Sequence, residues 1–126
     1  MNKDDTVYLR HILECIRRIV EDTGAGQEHF MASRTGQDAV LRNLQVMAES
    51  TQRLSETAKA TKPEVEWRKI VAFRNILAHD YLGIDMDTIW DITQRDVPEL
   101  KGAIEDILRA GQERDLDRSG DDAASG

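Results

Sequence analysis

The sequence is short of cysteine, proline and glycine, and each shortage limits the fold. Cys15 is the one cysteine among 126 residues, so no disulfide can form within the chain. Two prolines and eight glycines leave long stretches without a breaker, which favours long helices over many short strands. No apolar run approaches the ~18 residues of a membrane span, and no charged segment followed by an apolar one suggests a secretion signal. We therefore expect a cytoplasmic protein that does not contact a membrane.

Basic charge is scarce as well. The chain has 17 Lys and Arg against 24 Asp and Glu, a net charge of −7. A protein that binds nucleic acid regardless of sequence usually presents a large basic surface, which this chain cannot have overall. Contact with RNA or a nucleotide therefore needs a local basic patch, a small pocket or a partner. Hydrophobic residues still make up 40% of the chain, enough for a helical core.

Apolar residues recur at helical spacing, with breaks at glycine and proline. One helical turn is expected within 27–36, and a fourth helix carries Trp90, which with Trp67 should anchor the core or an interface. Pro98 either opens a fifth helix or kinks a continuous one, and the pattern does not separate these alternatives. Three long helices are predicted to start at Asp4 or Asp5, at Gln37 or Asp38, and at Glu64, the last ending at His79. Their inner faces should include Val7, Leu9, Ile12, Ile16, Ile19 and Val20 in the first, Val40, Leu41, Leu44, Met47 and Leu54 in the second, and Ile70, Val71, Phe73 and Leu77 in the third.

These elements predict one all-α domain over residues 1–110, an antiparallel bundle of four to five helices. Gly111 is expected to end its last helix. Residues 111–126 are charged and small, and nearly devoid of large apolar side chains. We expect them to form a disordered acidic tail.

Five polar or ionisable side chains crowd into eight positions at the predicted end of the third helix: Arg74, Asn75, His79, Asp80 and Tyr81. Histidine suits proton transfer because its unperturbed pKa is ~6.5. An arginine fork can bind phosphate oxygens bidentately. Without further context, His79 is more simply a C-terminal histidine that meets the helix dipole, and Arg74 pairs with a carboxylate.

The spacing of these residues constrains any shared site. On a straight helix Arg74 and His79 point ~140° apart, whereas Asn75 and His79 differ by ~40°. Convergence of Arg74 and His79 therefore requires a helix that ends or distorts near His79, or a second chain. A two-fold dimer would bring two copies of His79 to one cleft.

Three sequence blocks occur in a recognisable order: "DAVLRNLQVMAES" (38–50), "VEWRKIVAFRNILAHDYLGID" (65–85) and "IWDITQRDVPELKGAIEDIL" (89–108). Together they closely resemble the HepT-like branch of the HEPN superfamily, from Tyr8 to Leu108. The most specific element runs from Arg74 through His79 to Tyr81, with four residues and then one between them. Ala48 and Ala72 stand where many relatives carry glycine.

The resemblance implies a HEPN-like bundle that forms a homodimer and acts as a ribonuclease toxin. In such toxin–antitoxin systems, of the type VII-like HEPN/MNT kind, the partner is a minimal nucleotidyltransferase (MNT) antitoxin that transfers AMP to the motif tyrosine, here Tyr81. We therefore expect a metal-independent endoribonuclease that cleaves RNA with Arg74, His79 and Asn75. Asp80 and Glu49 are possible supporting residues, although a surface ion pair of Glu49 with Arg53 is the simpler default.

No cofactor or metal is expected, because Cys15, His11 and His29 lack the spacing of metal ligands. An alternative function comes from a different class. The chain could be a non-catalytic binding subunit that docks a nucleotidyltransferase or a nucleotide. The acidic charge balance keeps this alternative open.

Overall fold

The computed structural model describes residues 1–79 and 83–125, and every regular element within them is a helix. The all-α prediction is therefore confirmed. No helix in the described part is long and apolar enough to cross a membrane. The helices are α1 (Lys3–Thr23), α2 (Gln27–Ala32), α3 (Arg34–Gln52), α4 (Glu56–Ala60), α5 (Trp67–His79), α6 (Met86–Asp91) and α7 (Val97–Ser125), with a π-helical segment (Ile92–Asp96) between α6 and α7.

Helix α1 begins earlier than predicted. Asn2 is its cap, because the Asn2 side-chain oxygen accepts a hydrogen bond from the backbone N–H of Asp4 at 2.8 Å. Asn and Asp have similar capping preferences, so the pattern alone did not distinguish Asn2 from Asp4 or Asp5. The two aspartates instead lie in the first turn, where negative charge is favourable.

The buried stripe of α1 is narrower than predicted. Val7 and Val20 are 58% and 54% exposed, so their assignment to the core is wrong. Both valines lie beside the buried stripe rather than on it. Each residue of a helix is rotated by ~100° from the one before it, so a residue next to the stripe points away from the core. The buried apolar residues of α1 are Leu9, Ile12, Cys15, Ile16 and Ile19.

The connection from α1 to α3 depends on two local features. Gly26 has φ 99°, a conformation that glycine adopts without strain, and it turns the chain into α2. Ser33 then caps α3 through its side chain, so the predicted start at Gln37 or Asp38 is too late. Gln37 has another role, since its amide donates to the carbonyl oxygen of Phe30 at 3.0 Å and closes the end of α2.

A buried carboxylate joins the start of α1 to the start of α4. Asp5 is 3% exposed. It accepts hydrogen bonds from the backbone N–H of Ser55 at 2.8 Å and from the Ser55 hydroxyl at 2.6 Å. The Ser55 hydroxyl oxygen in turn accepts from the N–H of Ala58, which caps α4. Because α4 follows the end of α3, this contact places α1 and α3 antiparallel.

Helix α5 starts at Trp67 rather than at Glu64. The Trp67 indole N–H is shared between the carbonyl oxygens of Lys59, at 3.1 Å, and Lys62, at 3.2 Å. This contact holds the turn around Pro63 and fixes where α5 begins. Trp67 also packs against the core, as predicted for an anchor residue.

Helix α5 lies against α3 and buries little of its own surface. Leu77 is buried, whereas Ile70 and Phe73 are half-buried. Val71 is 39% exposed and Ile76 50% exposed, so the core role predicted for Val71 is wrong. The reason is geometric, since a helix that packs along one side leaves its apolar residues on the other side uncovered.

The second half of the chain is helical from α6 into α7 without a loop. The backbone N–H of Val97 donates to the carbonyl of Ile92, five residues back. Pro98 follows directly in α7. Proline has no backbone N–H to donate to the preceding turn. The π-helical segment just before it changes the hydrogen-bond register of the backbone at this point. The alternative of a continuous helix with a distortion is therefore the one observed.

Helix α7 continues through Gly111 to Ser125, so the predicted helix end at Gly111 is wrong. Gly111 lies under the Met1 side chain, where a Cβ atom would collide. The contact is with the end of a flexible methionine side chain, and Gly111 does not terminate the helix. The division into a helical domain (1–110) and an acidic tail (111–126) stays a prediction.

Candidate ribonuclease site

Two helices position the central arginine of the motif. Arg74 projects from α5 towards α3, and its Nε atom lies 3.9 Å from Oε1 of Glu49. Its Nη1 atom donates to Oδ1 of the adjacent Asn75 at 3.2 Å. Among the described residues, the ion pair of Glu49 is with Arg74 and not with Arg53 as the simpler default had it. The packing of α3 on α5 therefore brings three of the predicted site residues together.

Glu49 is itself held in place from its own helix. Gln45, one turn earlier on α3, donates from its amide to Oε1 of Glu49 at 3.3 Å. This is the same oxygen that faces Arg74. Gln45 was not among the predicted site residues, although its i, i+4 spacing from Glu49 was the available signal.

The guanidinium has an unsatisfied donor. Nε of Arg74 is buried and makes no hydrogen bond to any residue in 1–79 or 83–125. Glu49 at 3.9 Å is within ion-pair range but beyond hydrogen-bond range. A buried donor left unpaired costs about 1–3 kcal/mol, and more when it is charged. An anionic oxygen placed beside Arg74 would remove that cost, and a phosphate group carries such oxygens.

His79 lies elsewhere on the helix. It is the last residue of α5 and is exposed, as is Asn75 one turn before it. Because α5 is a continuous α-helix over Trp67–His79, the directions of Arg74 and His79 differ by ~140°. A single protomer therefore does not bring Arg74 and His79 to one point.

An exposed surface runs along α5 next to these polar groups. Val71, Asn75 and His79 follow at i, i+4 spacing, and Ala72 and Ile76 lie beside them. All five residues are exposed. We call this surface the α5 outer face. It combines apolar side chains with two of the predicted site residues.

Two predicted site residues cannot be placed. Asp80 and Tyr81 lie outside the described residues, so the supporting role of Asp80 and the modification of Tyr81 stay predictions.

The other histidine and acidic groups do not form a metal site in the described part of the chain. No group of three His, Cys, Asp or Glu residues there lies close enough to hold a metal ion. His11 has a structural contact instead. Its Nδ1 atom lies 3.1 Å from the hydroxyl of Ser50, which joins α1 to α3.

Comparisons with known proteins identify the family of this chain. A family model described as ribonuclease HepT-like matches residues 12–107. A probable ribonuclease HepT of Thermococcus cleftensis is 32% identical over 110 residues, which cover 86% of this chain and 100% of that protein. A Methanocaldococcus jannaschii protein described as gamma-glutamylcyclotransferase and putative RNase is 32% identical over 120 residues. The chain spans 53% of that protein's length, so this relative has a further region outside the match.

A solved structure shows the same fold. A tri-AMPylated HEPN toxin of Shewanella oneidensis, in complex with an MNT antitoxin, aligns with a TM-score of 0.67 and 23% identity. The alignment covers 87% of this chain and 99% of that one. The helical architecture and the motif define an all-α protein of the HEPN type. The chain belongs to the HepT-like family, and the resemblance found in the sequence is confirmed.

Proposed function

We propose that this protein is a metal-independent endoribonuclease that acts as a homodimeric toxin and is silenced by an MNT antitoxin. The observation that carries the proposal is the buried Nε of Arg74 beside Glu49 and Asn75, which makes no hydrogen bond within residues 1–79 and 83–125. Its position within the HepT-like motif supports a phosphate-binding role. Relatives described as ribonucleases support the reaction class.

The chemistry needs few groups. The 2′-hydroxyl of RNA attacks the adjacent phosphorus, its proton passes to a base, and the leaving 5′-oxygen receives a proton from an acid. His79 is the residue of the motif that can transfer protons near neutral pH. Arg74 stabilises the negative charge that develops on the phosphorane oxygens. Asn75, which already bonds to Arg74, would orient the guanidinium or hold a phosphate oxygen.

Dimerisation follows from the geometry of α5. One protomer supplies one motif histidine, and it points away from Arg74. The α5 outer face is apolar around Val71, Ala72 and Ile76 and includes His79 at its end. Pairing two such faces about a two-fold axis would cover the apolar residues and bring the two copies of His79 towards one cleft. A composite site with Arg74 and His79 from both protomers is the arrangement that we favour.

The partner and its modification follow from the same family. The Shewanella structure is that of an AMPylated toxin with an MNT antitoxin. In this chain the acceptor would be Tyr81, two residues after His79. AMP on Tyr81 would add bulk and negative charge beside the arginines, and would block RNA both sterically and electrostatically.

Complementation between inactive protomers tests the shared site. We expect Arg74→Ala and His79→Ala homodimers each to lose ~10²–10⁴-fold in RNA cleavage. A heterodimer isolated through two different tags should regain part of the activity, because it holds one intact Arg74 and one intact His79. If both homodimers are inactive and the heterodimer is inactive as well, the result counts against a shared site.

The second candidate is a non-catalytic subunit that docks a nucleotidyltransferase or a nucleotide. The net charge of −7 favours it, since RNA is repelled by such a surface. Growth arrest on expression separates the two candidates. Arrest that disappears with His79→Ala supports the nuclease, and arrest that persists with His79→Ala supports the binding subunit.

A further inference from the structure

A groove lies between α5 and α7, and Met47 of α3 is also among the residues that line it. It has a volume of about 670 Å³. Its floor is apolar, and it extends from Asp96, at the end of the π-helical segment, along α7 to Asp106, a length of ~15 Å at 1.5 Å per residue. We call it the α5–α7 groove. The residues of its floor include Val65, Ile70, Phe73, Ile92, Leu100 and Ala103.

The rim of the groove is acidic. It has five carboxylates, from Glu64, Glu66, Asp96, Glu99 and Asp106, against the two ammonium groups of Lys62 and Lys69, which gives a net charge of −3. Charge complementarity therefore selects an occupant that carries lysine or arginine around an apolar centre.

Carboxylates of the rim already hold both lysines. Lys62 donates to Asp106 at 2.9 Å, and Lys69 pairs with Glu66 at 2.8 Å. The hydrogen bond to Lys62 lowers the pKa of Asp106, and the same bond raises the pKa of Lys62. These lysines are thus engaged within the chain, Lys62 also with Glu64 at 3.6 Å. Asp96 and Glu99 are exposed carboxylates that line the groove, and Glu99 lies on α7 itself.

Gly102 is a second, independent feature of the groove. It lies within α7, where glycine is ~0.8–1.0 kcal/mol less favourable than alanine. A Cβ atom at Gly102 would meet nothing within 4 Å, so no contact inside the described part of the chain requires glycine here. A missing side chain on a groove wall allows another backbone to approach closely.

We propose that the α5–α7 groove docks a basic amphipathic segment of the nucleotidyltransferase antitoxin. This proposal rests on the proposed function, because that function supplies the partner. A second copy of the chain fits less well, since each copy has a net charge of −7 and would face an acidic rim. The groove also adjoins the motif. Phe73 in its floor precedes Arg74, and His79 lies ~9 Å further along the same helix, so a partner seated here lies close to the part of the motif on α5.

Site-specific crosslinking tests where the partner binds. The photoreactive residue p-benzoylphenylalanine replaces Gly102 in one full-length variant and Glu105 in the other, with the nucleotidyltransferase co-expressed. Glu105 is exposed on α7 but does not line the groove. An adduct with the nucleotidyltransferase from position 102 and none from 105 is the expected result. An adduct between two copies of the chain, or no adduct from position 102, would overturn the proposal.

A matched pair of charge reversals provides the affinity test. Glu99→Lys should weaken binding of the purified nucleotidyltransferase by about tenfold, whereas Glu105→Lys should change it by no more than about twofold. Equal affinities of the two variants would refute docking in the α5–α7 groove but leave the proposed function standing. Failure of the wild-type chain to bind the nucleotidyltransferase at all would instead contradict the partner assigned under the proposed function, and the docking proposal with it.

Discussion

Nε of Arg74 and Oε1 of Glu49 lie 3.9 Å apart, close enough for electrostatic attraction and too far for a hydrogen bond. Gln45 occupies a hydrogen-bonding position on the same Glu49 oxygen at 3.3 Å. The carboxylate is therefore oriented from α3, while the guanidinium keeps a donor for another acceptor. Under the proposed function, Glu49 would act on the arginine and would not need to touch the RNA.

Removing the Glu49 charge tests this positioning role. The pair is half-exposed, so Glu49→Gln should lower the free energy of unfolding by about 1 kcal/mol or less. Cleavage should fall by about tenfold, because Arg74 loses its orientation for the charged transition state. The loss should appear in kcat with KM little changed.

Glu56→Gln is the matched control, since Glu56 forms an exposed ion pair with Lys59 at 3.0 Å on α4. It should leave cleavage unchanged. A Glu49→Gln protein that cleaves RNA as fast as the Glu56→Gln protein would remove Glu49 from the site.

A charge on the α5 outer face should separate the protomers. Val71 is 39% exposed and lies two turns before His79. Val71→Glu should shift the protein from dimer to monomer in sedimentation or light scattering, because it places two carboxylates in a paired apolar face. RNA cleavage should fall with the dimer fraction.

The same change at Val20, 54% exposed on α1, is the control and should leave both dimer and activity intact. If Val71→Glu stays dimeric, the protomers meet through another surface.

The Asp5–Ser55 contact predicts a stability effect far from the site. Asp5→Ala leaves the partly buried N–H and hydroxyl of Ser55 without their acceptor, a loss of about 1–3 kcal/mol. Chemical unfolding at one fixed protein concentration measures it, since the proposed dimerisation would make stability depend on concentration. Asp4→Ala, at an exposed neighbour, should change stability by a few tenths of a kcal/mol. Equal losses for the two variants would show that the contact contributes little.

The local sequence pattern was sufficient to predict the helices but not the contacts between them. The stripe of Leu9, Ile12 and Ile16 and the motif at the end of α5 were predictable, because helical spacing relates residues three or four apart. Asp5 and Ser55 are 50 positions apart, and nothing near either residue indicates the other. The pairing of Glu49 with Arg74 was hidden for the same reason, since it depends on how α3 and α5 pack. Val71 was misassigned because an apolar residue on an exposed face has the same helical spacing as one in the core.

A cluster on α1 predicts a measurable acid titration. Hydrogen bonds from Arg17, helped by Arg18, lower the pKa of Glu14 from about 4.5 to about 2. Because the folded-state pKa is lowered, the stabilising contribution is present above pH 4.5 and is lost as the pH falls from 4.5 to about 2. NMR titration of the Glu14 carboxyl carbon should show this midpoint. Arg17→Ala should move the midpoint upwards and Arg42→Ala should not; a midpoint near 4.5 in the wild type would contradict the cluster.

The AMP acceptor can be identified because the chain has two tyrosines, Tyr8 and Tyr81. Intact mass of the protein co-expressed with the nucleotidyltransferase should rise by one or more units of AMP. Tyr81→Phe should abolish the increase, because the phenol oxygen is the nucleophile that attacks the α-phosphorus of ATP and displaces pyrophosphate. Tyr8→Phe is the matched control and should keep it. Modification that survives Tyr81→Phe would assign the acceptor to another residue. If the Tyr81→Phe protein stays toxic in the presence of the nucleotidyltransferase, AMP transfer to Tyr81 is what silences the toxin.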